Sequence, residues 1–143
     1  MDFSSMELAG LIERVPVDTH EVDQLLKVLR RDAKTAGRLI DVDLDWAFAV
    51  AYNSMIQGCL ALMKAYGYRP RGVNKHIIAI RFAREALGEG WRKVLSRLDR
   101  IRKKRHRVVY EVAGLISEYE AKETIELASG FIEDLEREIA ALR

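Results

Sequence analysis

Cysteine is nearly absent: Cys59 is the single one in 143 residues. One thiol excludes an intramolecular disulfide and a cysteine-built metal cluster, and it suits a reducing compartment. Set in an apolar run, Cys59 reads as a small buried residue rather than a nucleophile. Proline is scarce as well. Pro16 and Pro70, the only two, fall between periodic segments, which favours long helices over a sheet. The three histidines lie far apart with no acid at ligand spacing, so no metal site and no cofactor is expected. Glycine-rich phosphate loops, a GxSxG elbow and HExxH are all missing. No apolar run approaches the roughly 18 residues of a membrane span. The N-terminus, with Asp2 and Glu7, lacks the basic opening of a signal peptide. The expectation is a cytoplasmic chain with no membrane partner.

What is present is helical periodicity. At 49% hydrophobic and 32% charged, the chain suits one domain over 1–143, with one core and a solvated surface. Ser4-x-x-Glu7 has capping-box form and predicts a short helix to about Glu13, interrupted by Pro16. Asp18-x-x-Glu21 offers a second start, followed by Val22, Leu25, Leu26, Leu29, Ala33, Ala36 and Ile40 at helical spacing. Asp43 can cap a helix over Leu44–Tyr66 that Gly67 stops. That segment is apolar nearly all round and belongs in the middle of a bundle or at a subunit contact. A turn-rich link, Tyr68–Gly72, precedes a helix over about Val73–Leu87, ended by Gly88. A basic helix starts near Gly90 or Trp91 and breaks at Gly114. Ser117-x-x-Glu120 opens a last, acidic helix to about Leu142. No segment alternates as a strand does. The expected fold is all-α, an up-and-down bundle of about five helices with short connections.

Charge is segregated. Arg92 to Arg107 holds nine Lys or Arg against one acid, Asp99, whereas Glu111 to the end holds nine acids against three bases. An anionic partner such as RNA would exploit this. Phase adds to it. The apolar positions Trp91, Val94, Leu95, Leu98 and Ile101 continue to Val108 and Val109, and Arg105 falls where the stripe should be apolar. A guanidinium there must snorkel, pair with an acid of the last helix, or enter a phosphate groove. Arg100, Arg102, Lys103, Lys104 and Arg107 spread around the helix. They are either a solvated face complementing the acidic helix or nucleic-acid contacts. His106 lies one turn from both Arg102 and Tyr110. His76 reads as a structural or capping histidine and His20 as solvated. Asp41, Asp43 and Asp45 read as helix-start acids before a cation site. Asn53, in so apolar a helix, needs a partner, either Arg105 or a backbone group.

The first amphipathic helix, Ala47–Gly67, Lys75-His76 and Arg105-His-Arg-Val-Val-Tyr110 together resemble a HEPN domain, over most of the chain. The resemblance implies a homodimer whose paired motifs line an interface cleft. It also implies RNA or nucleotide binding and metal-independent endoribonuclease chemistry, as in toxin–antitoxin and defence systems. The motif pairs an arginine with a histidine four to six residues on. Arg105 matches that arginine and His106 the polar residue after it, but Tyr110 stands at the histidine position. A looser register pairs Arg100 with His106. Tyrosine, with an ordinary pKa of about 10, is a poor general base at neutral pH. Two readings follow. The catalytic set is Arg105, His106 and Tyr110 in a ribonuclease, or the chain is an inactive relative that engages a nucleotidyltransferase-type antitoxin. A plain structural bundle is the third.

Overall fold

Helix starts follow the caps in the computed structural model, which describes residues 2–143. Helix α2, Thr19–Leu39, opens where the Asp18 carboxylate accepts the amides of His20 and Glu21. Helix α3, Leu44–Tyr66, opens where Asp43 accepts the amide of Trp46 at 3.0 Å. It closes at Gly67, whose φ of +85° lies in the left-handed region that favours glycine. A Cβ at Gly67 would also sit 3.1 Å from the Val15 carbonyl oxygen. Helix α6, Glu118–Ala140, opens at Ser117, which accepts the Glu120 amide at 3.0 Å. Between them lie α4, Lys75–Leu87, and α5, Arg92–Tyr110, the latter entered through a 3-10 turn at Glu89–Trp91. A one-turn helix, α1, covers Ser4–Leu8. The architecture is an all-α bundle of five long helices.

Helix α3 is its axis, packed against α2, α6, α4 and α5. Contrary to the expectation that no apolar run approaches a membrane span, it has the length and hydropathy of one, but 72% of that stretch is buried inside the bundle, so the core accounts for its apolar character. Gly58 brings α3 and α6 together: a Cβ there would meet Leu135 Cδ2 at 2.6 Å. Cys59 is buried at this centre, and burial pushes its thiol up to about 12, which leaves it unreactive. Asn53 donates to the buried Asp32 carboxylate on α2 at 2.8 Å, so its partner is neither Arg105 nor the backbone.

Three short elements depart from the sequence expectation. Helix α1 stops at Leu8, well short of Glu13, because Gly10 turns the chain with a φ of +73°. Its N-cap is Phe3, with no side-chain cap, so Ser4 does not form the capping box. The chain then forms a strand, β1 (Ile12–Arg14), that pairs antiparallel with β2 (Tyr68–Pro70), Ile12 opposite Pro70 and Arg14 opposite Tyr68. Strands of three residues are too short to display alternation, and Pro70 ends its strand where no ladder donor is needed. This strap holds Phe3 in the core, its ring stacked on Phe82 at 4.2 Å between centroids.

Candidate functional site

Periodicity drives one cation inward. Leu95, Leu98, Ile101 and Val108 of α5 are buried, and Arg105 occupies the next place on that stripe. Its Nε is buried with no hydrogen-bond partner, the only such side-chain atom among the described residues. Its guanidinium carbon stands 5.7 Å from the centroid of the Tyr52 ring, within cation–π range. Tyr52, fully buried on α3, pairs through its hydroxyl with His76 Nδ1 at 2.9 Å.

These groups line a cleft of about 360 Å³ between α4 and α5, with Asn74, Lys75, Arg102 and His106 completing its polar wall. No carboxylate lines it. Asp99 accepts from Arg102 Nε at 2.9 Å but lies outside the lining. The first turn of α4 forms one side, and Asn74 gives that helix no side-chain cap. Burial, then the charges of Arg105 and Arg102, hold the His76 imidazole below the ordinary histidine range. Burial likewise pushes the Tyr52 phenol well above its usual value, so it keeps its proton. The arrangement offers several donors and no acceptor charge, which suits a phosphate rather than a cation.

The predicted residues separate into three places. Arg102, Arg105 and His106 come together in the cleft. Tyr110 does not: it is 67% exposed and packs its ring against His106 at 5.0 Å between centroids. Arg100 and Lys104 line a different groove of about 470 Å³ between α5 and α6, floored by Phe48. Arg100 and His106 therefore face separate grooves, so the looser register does not bring its two members together. In the second groove Lys104 pairs with Glu120 at 2.7 Å and Arg97 with Glu123. Lys103 and Arg107 are exposed, Lys103 lying 3.8 Å from Asp99. The acidic helix thus neutralises part of the basic one.

Tyr52 and His76 are the members that sequence reasoning passed over as site residues. The one signal was a phenol in an otherwise apolar helix, with no local hint that its partner lay 24 residues on. The aspartates at the start of α3 divide their work: Asp43 caps, while Asp45 accepts the amides of Gly114 and Ile116 at 2.7 and 3.2 Å. His20 is exposed. No protein-family model and no curated protein matches the chain.

Proposed function

We propose that this chain is a HEPN-type protein that binds RNA or a nucleotide as a homodimer, through the cleft between α4 and α5. One observation carries the reading: the Arg105 guanidinium, buried at Nε, without an acid, and flanked by Arg102, His76 and His106. A cation placed so is costly to a fold that gains nothing from it. A phosphate supplies the missing charge and acceptors. If the protein cleaves, the 2′-oxygen attacks the adjacent phosphorus and the P–O5′ bond breaks, leaving a 2′,3′-cyclic phosphate and a 5′-hydroxyl; Arg105 holds the phosphate oxygens, and His106 takes the 2′-hydroxyl proton and returns one to the leaving 5′-oxygen.

Fluorescence anisotropy with single-stranded RNA across a salt series tests this. Wild type should bind in a salt-sensitive way and Arg105→Ala should lose most of that affinity. Absence of binding at low salt refutes the reading. A gel assay of the same RNA then decides whether binding leads to cleavage. The second reading, an inactive HEPN relative engaging a nucleotidyltransferase-type antitoxin, is favoured by Tyr110. That side chain is turned outward and is more available to a protein surface than to a phosphate in the cleft.

A further inference from the structure

The cleft holds an imidazole that α5 does not contribute. His76 enters it from the first turn of α4, and the direction of its bond to Tyr52 can be worked out. The Tyr52 phenol is fully buried and has no other hydrogen-bond partner, so its proton goes to the acceptor in reach, His76 Nδ1. The reverse polarity would leave a phenolic hydrogen buried without an acceptor. Burial and the two neighbouring guanidiniums keep the ring neutral near pH 7. A neutral imidazole that accepts at Nδ1 carries its hydrogen on Nε2. His76 Nε2 has no protein partner and is not among the buried unpartnered atoms, so it opens on the cleft.

We propose that His76 Nε2–H, together with the Arg105 and Arg102 guanidiniums, seats a single phosphate group, and that His76, rather than the outward-turned Tyr110, is the side chain that joins Arg105 in holding it. Tyr52 is then a positioning residue. Its hydroxyl selects the tautomer, and its ring carries the guanidinium above it. Because Arg105 covers the Tyr52 ring, that aromatic face is closed to a stacking base, and a nucleotide enters phosphate first. The uncapped first turn of α4 adds the positive end of a helix on the same side. As to its biological ligand, the assignment rests on the nucleic-acid reading above. The phosphate seat itself can be examined without RNA.

The probes are inorganic phosphate and adenosine 5′-monophosphate, followed by calorimetry and by long-range ¹H–¹⁵N spectra of the histidine rings. At pH 7 His76 should show the Nε2–H tautomer, and phosphate should move its Nε2 signal while leaving His20 unmoved. His76→Ala should weaken phosphate binding about tenfold or more, as loss of a hydrogen bond to a charged group does. His76→Gln, which keeps an amide donor, should recover part of it. Tyr52→Phe should abolish the tautomer preference and weaken binding severalfold. Tyr110→Ala should leave binding unchanged. An Nδ1–H tautomer in wild type, or equal phosphate affinity in wild type and His76→Ala, overturns the assignment. RNA binding lost in Arg105→Ala but kept in His76→Ala also overturns it, while leaving the nucleic-acid reading intact. Phosphate bound at His76 with no RNA affinity upholds the seat and removes RNA as its ligand.

Discussion

A buried donor without an acceptor lowers stability by about 1–3 kcal/mol, and Arg105 Nε is such a donor. Its contact with the Tyr52 ring offsets only part of that. Arg105→Met keeps a similar apolar stem on the inward stripe and removes the orphan. It should raise stability by about 1 kcal/mol in urea unfolding while RNA affinity collapses. A clear loss of stability would mean that the guanidinium is structural. His76 supplies a second residue-scale test. Around it stand Tyr52 from α3, Arg102, Arg105 and His106 from α5, and Lys75 of its own helix, none of them an acid. Its folded-state pKa is lowered, so the unfolded chain binds the proton more readily. Stability therefore falls as pH drops below about 6.5, the unfolded value, and levels off below the folded one. In melts between pH 7.5 and 5, His76→Gln should lack this component, and the difference between the two curves isolates it.

Among the elements, the connection from α5 to α6 depends on one carboxylate. Asp45 lies in the first turn of α3 and takes the amides of Gly114 and Ile116, so it pins a loop that would otherwise hang from two helix ends. Asp45→Ala should cost about 1–3 kcal/mol. It should also lose hydrogen-exchange protection at those two amides before any loss in α3 itself. Unchanged protection there would show the loop to be held by other contacts. Helix boundaries were legible because caps are local: Asp18, Asp43, Ser117 and Gly67 each act within a few residues of the terminus they define. The inward phase of Arg105 was legible for the same reason. What escaped is what the chain assembles from distant pieces. The Tyr52–His76 pair, the Asn53–Asp32 bond and the Asp45 clasp each join residues on different elements. Spacing along the chain says nothing of such pairs until the helices have packed.

Over the whole molecule, charge is less lopsided in space than in sequence. Lys104 and Arg97 are held by acids of α6 and Arg102 by Asp99, whereas no ion pair engages Arg100, Arg105 or Arg107 among the described residues. Binding of single-stranded RNA through about three such cations should give a log–log salt slope near −2 per protomer. Paired Glu120→Gln and Glu123→Gln changes, which release Lys104 and Arg97 in the α5–α6 groove, should leave it unaltered if the RNA keeps to the α4–α5 cleft. A steeper slope in that variant would show that the RNA also runs through the α5–α6 groove. The strap of β1 and β2 has a consequence in time rather than in charge. Helices α2 and α3 are neighbours along the chain and can dock early, whereas Ile12 and Pro70 close a loop that contains both of them, a closure that costs least once those helices are paired. The N-terminal segment, with Phe3 packed in the core, should therefore join late in folding. By the same ordering it should be the first part to come away, leaving the bundle to outlast its own seal.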